Sequence, residues 1–407
     1  MGKPILLLGA GASIDAGLLD TNRLTRQIYS ILQREGSLVP VQLFGYVIAK
    51  ILIKKVRLGG SPFDDVNVEE AYDGIEKLIG RDKDITSEFV SSWDPFLESL
   101  RPQFDEYKFV DRLSSAIESS YARSIRGSNA QLSIDRSRLQ SAAREITNAI
   151  GAAGIIGSSD VFNHLIRALL KCLEHDQSKI EYIQKIISIL NDNVSVIASL
   201  NYDLVVENGL SNQGITYNYG LDNWTDKKIV SFHSRKPGVK LLKLHGSINW
   251  SGIDDDISVI DDVRKNNSPA IVFGSNNGKL TPRGPFLQLR HEFEKRLLDT
   301  NTLIIIGYAF GDDHLNALIR RWTSTRRKAR LVIIDPGPVS FESNKIGTPY
   351  LLEKGKLTKR TVEITHIQKG ASEAVANLAA VIEAPINLEI PKERSGMIPH
   401  IWVNFIR

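Results

Sequence analysis

The stretch that most restricts how this chain can fold is PILLLGAGASIDAGLLD, residues 4–20. Pro4 to Leu8 make an uninterrupted apolar run, which suits a strand covered on both faces. Gly9 and Gly11 follow at once, then small residues, Gly17 and a helix-forming run in which Leu24, Ile28, Ile31 and Leu32 share one face. A strand that ends on glycines and opens into a helix is how chains bring backbone N–H groups against a phosphate. The motif falls short of a G-x-G-x-x-G fingerprint. That pattern needs glycine at Ile14, and the third glycine comes late, at Gly17. A tight structural turn explains the same residues equally well.

From about Val39 to Asn191 the pattern becomes helical, clearest in SRLQSAAREITNAIGAAG and in VFNHLIRALLKCLEHDQSKIEYIQKIISIL. Stretches near residues 60 and 127 read as loops. Short apolar runs then return at 194–200, 239–246, 269–274, 302–308 and 330–335, with TVEITHI further on. Helical periods lie between several of them, at 285–299, 313–325 and in SEAVANLAAVIEA. This alternation predicts an α/β fold: a doubly wound, mostly parallel, Rossmann-like sheet. A large helical insertion interrupts it. The expected division is 1–38 for the first βα unit, 39–191 for the insertion, 192–385 for the rest of the sheet domain and 386–407 for a C-terminal extension. The apolar ending HIWVNFIR is expected to dock on its own chain or on another.

Composition narrows the class. A chain of 407 residues with a net charge of +4 carries no global signature of nucleic-acid binding. The basic run RRWTSTRRKAR, 320–330, reads either as a solvated helix end or as a surface for nucleic acid or an acidic partner. The single cysteine, Cys172, excludes an intramolecular disulfide. With His175 it makes too small a set for a metal, so none is expected. No run approaches the ~18 apolar residues of a membrane helix, and no leader is evident, so a cytoplasmic protein is expected.

In open α/β sheets ligands bind beyond the carboxyl ends of the strands. Four runs deliver polar residues to that edge. Besides the glycine loop they bring SLNYDLVVE with Asn201 and Asp203, KLHGSINW with His245 and Gly246, and IIIGYAFGDDHLN with Gly307, Asp312 and Asp313. Each has a bland alternative. His245 could be a satisfied structural histidine, Asp203 a helix cap, Tyr308 and Phe310 core residues, and Asp335 the start of a turn at DPGP.

In order and content these motifs resemble the sirtuin fold. They are closer still to the sirtuin-like NAD-cleaving effectors of bacterial anti-phage systems. The resemblance covers about 1–35 and 195–385. It implies that Gly9, Ala10, Gly11, Ala12 and Ser13 hold the pyrophosphate of NAD, and that Asn201, Asp203 and His245 form the catalytic set. It also implies that Gly246, Gly307, Tyr308, Phe310 and Asp335 belong to the nucleotide site. Two departures point away from peptide deacetylation: one cysteine cannot build a four-cysteine zinc site, and LLDTNRL stands where sirtuins carry Pro-Asp-Phe-Arg. The helix with Glu69, Glu70 and Asp73 reads as a solvated face or, by resemblance, as an acidic helix near the site.

The expected activity is hydrolysis of NAD, as substrate, to nicotinamide and ADP-ribose, used to deplete NAD in anti-phage defence. Protein deacylation, ADP-ribosyl transfer and a silent nucleotide-sensing module are the alternatives. The resemblance further implies a homo-oligomer or a separately encoded partner such as a HerA-type ATPase. The helical insertion would then serve as a lid over the cleft.

Overall fold

The computed structural model describes residues 3–80, 158–190, 196–232, 238–252, 255–273, 284–326, 328–337, 352–353, 356–357, 361–384 and 403–406. In chain order the first strands are β1 (Ile5–Leu8), β2 (Val196–Ser199), β3 (Tyr217–Asn218), β4 (Val239–Lys243), β5 (Gly246–Ser251), β6 (Ser258–Val259) and β7 (Pro269–Ile271). They are followed by β8 (Thr302–Ile306), β9 (Lys328–Ile334), β10 (Leu352–Glu353), β11 (Lys356–Leu357), β12 (Thr361–Ile367) and β13 (Val403–Ile406). The α-helices are α1 (Thr21–Glu35), α2 (Leu38–Arg57), α3 (Val68–Gly80), α4 (Ser158–Cys172), α5 (Glu181–Leu190), α6 (Val205–Ser211), α7 (Trp224–Lys227), α8 (Phe286–Asp299), α9 (Asp313–Thr325) and α10 (Val375–Glu383).

Among the described residues, eight strands form one sheet in the order β13-β12-β9-β8-β1-β2-β4-β3. Every neighbouring pair in it is parallel. Ile5, Leu6, Leu7 and Leu8 of β1 are fully buried, as a strand covered on both faces must be. Each such side chain contributes about 1.5–3 kcal/mol relative to exposure. The chain starts at the middle of the sheet, winds outward through β2 and β4, then returns to the other side of β1 at β8. The topological switch point, where doubly wound sheets bind ligands, therefore lies between β1 and β8.

Among the described residues the core forms two buried clusters. One surrounds the sheet and includes Ile180, Ile183, Ile186, Ile187 and Leu190, so α5 lies against the strands. The other joins Leu24, Ile28 and Leu32 of α1 to Leu43, Phe44 and Val47 of α2, Tyr72 and Ile75 of α3, and Leu165 and Leu169 of α4. By packing, α1 is the inner face of the helical block and α5 belongs to the sheet. The long helical pattern over 161–190 is broken in two. Asp176 accepts from the backbone N–H of Ser178 at 2.9 Å and starts a short 3-10 turn, Gln177–Lys179. The sequence-predicted helix at 137–154 lies outside the described residues.

One expected strand sits elsewhere. The run at 269–274 contributes β7 to a separate three-stranded antiparallel sheet, β6-β5-β7. The chain leaves β4 at Lys243 and begins β5 at Gly246, too soon for the crossover that a parallel neighbour of β4 needs, so β5 stands outside the main sheet and the later run pairs with it as β7. Gly246 makes that turn with φ +85°, and a side chain there would meet the Ala270 carbonyl. The C-terminal run docks on its own chain: β13 pairs in parallel with β12 from Ile364↔Val403 to Ile367↔Ile406. No described helix is long and apolar enough to cross a membrane.

Candidate active site

A cavity of about 370 Å³ opens at the switch point, within the size range of small-molecule sites, roughly 300–1,000 Å³. One wall is the sheet edge: Gly9, Ala10, Gly11 and Ser13 after β1, Asn201 and Asp203 after β2, His245 after β4, Gly307, Tyr308 and Asp312 after β8, and Asp335 after β9. The opposite wall comes from the helical block, with Asn22 and Leu24 of α1, Val68 and Glu69 of α3, and Leu173 following α4. The polar side chains at its base are enclosed: Asn201 is 8% exposed, His245 6%, Asp203 4% and Asp312 3%.

The glycine loop is bound to the loop after β8. The N–H of Gly9 donates to the Ile306 carbonyl and that of Gly11 to the Gly307 carbonyl, both at 2.9 Å, while Ala12 N–H returns to Gly9. The two backbones run so close that a side chain on Gly307 would sit 2.2 Å from the Ala12 nitrogen. These three N–H groups are thus committed within the protein, and the glycines act by permitting that approach. The loop continues as a 3-10 helix, Ala10–Ala16, closed by Gly17 at φ +88°. The Tyr182 hydroxyl of α5 donates to the Ala12 carbonyl and pins this turn from below. Burial holds that phenol well above its ordinary pKa, so it stays a donor.

Asn201 ties β2 to the same loop. Its Nδ2 donates to the Gly9 carbonyl at 2.8 Å and to Ser13 Oγ at 2.9 Å. Asp203 accepts from Val205 N–H at 3.0 Å, an Asx turn that opens α6, and still borders the cavity. Its backbone carbonyl accepts from Lys243 Nζ at 2.5 Å, and that buried ammonium pairs with Glu207 at 3.1 Å. The Asn201–Asp203 loop is therefore anchored by side chains from two neighbouring elements.

His245 lies 3.1 Å through Nε2 from Asp312 Oδ2. Its Nδ1 is buried and has no hydrogen-bond partner among the described residues. The ring of Tyr202 lies beside it, with centroids 6.5 Å apart. Tyr202 Oη donates to Glu69 Oε1 at 2.9 Å, and burial, then Glu69, hold the phenol far above its usual pKa. Glu69 thus borders the cavity. Its neighbours behave as a solvated face, with Glu70 paired to Lys55 and Asp73 to Lys77. Asp335 also borders the cavity, and its Oδ1 accepts from Gly337 N–H at 2.8 Å, as the turn reading expects. Burial raises its carboxyl pKa.

Of the residues named from sequence, Ala12, Gly246 and Phe310 do not line the cavity. Ala12 and Phe310 are core residues, the latter with φ +55°, and Gly246 shapes the β4–β5 turn. Asp312 is visible in the sequence only as one of two adjacent acids. Its signal is position, at the N-cap of a helix directly beyond a buried strand. Among the described residues, no group of three or more His, Cys, Asp or Glu could hold a metal ion.

Residues 195–358 match the family profile of the SIR2-like domain. The SIR2-like segment carries Asn201, Asp203, His245 and Asp312, while the glycine loop joins it in space through β1. Solved structures similar to this chain include a triple mutant of a Sir2 homologue in complex with 2′-O-acetyl ADP ribose. It has 9% identity over 95% of this chain and 94% of that one, with a TM-score of 0.40. Another comes from a study of the mechanism and regulation of Sir2 enzymes, with 10% identity over 93% and 91% and a TM-score of 0.36. A Sir2 bound to a propionylated peptide has 9% identity over 93% and 92%, with a TM-score of 0.34. No curated protein matches the sequence.

Proposed function

We propose that this chain cleaves NAD at the nicotinamide–ribose bond and passes the ribose to water, giving nicotinamide and ADP-ribose. The observation that carries the reading is the buried His245, whose Nδ1 has no partner among the described residues at a cavity built on the switch point of a SIR2-like sheet. The C–N bond breaks with its electron pair going to the pyridine nitrogen, which leaves as neutral nicotinamide. Positive charge develops on the ribose, as in glycoside hydrolysis. The carboxylates of Asp203 and Glu69 border the cavity and favour that charge. Water adds to the ribose carbon and loses a proton to the imidazole, a role suited to histidine. Asn201, having both amide hydrogens on the glycine loop, holds the nucleotide-binding wall in register. Asp335, beyond β9, suits the adenosine ribose hydroxyls.

Two features favour water over an acylated peptide. The single cysteine removes the four-cysteine module, and the wall facing the glycine loop is made by this chain's own α1 and α3 with Leu173 after α4. We extend the reading to NAD depletion in anti-phage defence by a cytoplasmic homo-oligomer, with the insertion expected over 39–191, outside the sheet-packed α5, as lid and a HerA-type ATPase as the class of controlling partner. What supports this extension is the motif resemblance alone. The test is incubation with NAD and chromatography of the products. Nicotinamide and free ADP-ribose are expected, with a loss of about 10²-fold or more in His245→Ala, the usual weight of a general base. Folded His245→Ala protein that releases nicotinamide at the wild-type rate overturns the proposal.

A further inference from the structure

We infer that Asp312 is a positioning residue that fixes the tautomer of His245, so that Nδ1 is the nitrogen presented to the reacting water. The consequence for catalysis rests on the cleavage reading above, while the tautomer itself rests on geometry alone.

The two oxygens of Asp312 have separate tasks. Oδ1 accepts from the backbone N–H groups of His314 and Leu315, both at 3.0 Å, and so caps α9. Oδ2 lies 3.1 Å from His245 Nε2. A carboxylate at the N-terminus of a helix is favoured in its ionised form, which can only accept. The hydrogen between the two groups therefore belongs to Nε2. In neutral imidazole the other nitrogen then carries the lone pair. That nitrogen is Nδ1, buried and without a partner among the described residues. A buried acceptor left unmade is unfavourable unless a ligand or water completes it. Serine hydrolases orient their base by the same kind of carboxylate–imidazole pairing, with the two ring nitrogens exchanged.

Asp312 is itself held. Its backbone N–H donates to Tyr308 Oη at 3.1 Å, and that hydroxyl donates to Asn316 Oδ1 at 2.9 Å. Asn316 Nδ2 in turn donates at 2.9 Å to the carbonyl of Phe310, whose backbone is left-handed at φ +55°. The loop after β8 thus serves two neighbours: Gly307 receives the glycine loop, and Asp312 aims the histidine that follows β4.

Asp312→Asn tests this with little change of shape. Its Oδ1 still caps α9, but an amide N–H₂ replaces Oδ2 and donates to Nε2. The imidazole hydrogen is forced onto Nδ1, and the lone pair, now on Nε2, is spent on that amide. Histidine-labelled wild-type protein, examined by ¹⁵N NMR, is expected to show His245 with hydrogen on Nε2, and Asp312→Asn with hydrogen on Nδ1. The variant should keep its affinity for NAD while kcat falls by about 10²–10⁴, the range for losing a general base. Asp312→Ser, which keeps a cap but offers no carboxylate, should fall between the two. A wild-type spectrum with hydrogen on Nδ1, or folded Asp312→Asn with wild-type kcat, overturns the inference. If Asp312→Asn does not fold, the wild-type spectrum decides alone. If the wild type cleaves no NAD, the functional proposal fails and the spectrum still tests the tautomer.

Discussion

Gly307 gives the sharpest test of how the site is assembled. Its φ of +63° is left-handed, and a Cβ built on it falls 2.2 Å from the Ala12 nitrogen and 2.3 Å from the Gly11 carbonyl carbon. Both are backbone atoms, so no side chain can swing aside. Alanine at Gly307 therefore costs about 1–2 kcal/mol for the left-handed conformation and roughly 1–3 kcal/mol for overpacking. Gly36 supplies the control. It has nearly the same φ, +70°, at the end of α1, and nothing lies within 4 Å of a Cβ there. Gly36→Ala should cost only the conformational part, about 1–2 kcal/mol. Urea unfolding of the wild type and both variants, compared at a common slope, measures the difference. Gly307→Ala should also lose nucleotide binding, because separating the loops breaks the Gly9–Ile306 and Gly11–Gly307 hydrogen bonds. Equal destabilisation by the two substitutions would show that the close approach of the loops contributes nothing, and the argument would fail.

Burial of two titratable groups gives further tests. The Asp335 carboxyl has a raised pKa in the folded chain, so its stabilising contribution is present below the unfolded value, about 3.9, and is lost as pH rises through the folded one. Asp335→Asn, which keeps the acceptor for Gly337 N–H, should therefore melt higher than wild type at pH 7, the gap closing as pH falls toward about 4. A lower Tm for the variant at pH 7 would refute this. Burial pushes the Cys172 thiol up to about 12, so iodoacetamide at pH 8 should label native protein far more slowly than urea-unfolded protein. Equal labelling rates would count against the packing of α4.

The sheet was legible because its strands are covered on both faces, which leaves continuous apolar runs such as Ile5–Leu8 and Thr302–Ile306. Their alternation with helical periods then fixed the parallel winding. The run at 269–274 misled because a short apolar segment looks alike in a parallel core strand and in a small antiparallel sheet. Its antiparallel partner β5, turned out of the main sheet at Gly246, decides between them. The edge strand β3 had no such signal, since two residues paired on one side need no apolar pattern, while β13 showed only as an apolar ending whose partner the sequence does not name.

Within the site, residue types were legible and their bonds were not. Sequence marked Gly9 and Gly11 as residues that admit a phosphate. The folded chain uses their small size first to admit the backbone at Gly307, and Asn201 to hold the result. Asp312 shows why adjacency in sequence cannot reveal such partners. It lies 67 positions from His245, and the two meet only because β4 and β8 flank the central pair β1 and β2 and end on the same edge. A helix cap is needed at α9 whatever the chemistry. Placing that cap under the histidine lets one carboxylate satisfy a helix end with one oxygen and orient an imidazole with the other. The Asn and Ser substitutions at Asp312 separate those two functions because both residues cap helices and neither carries the charge.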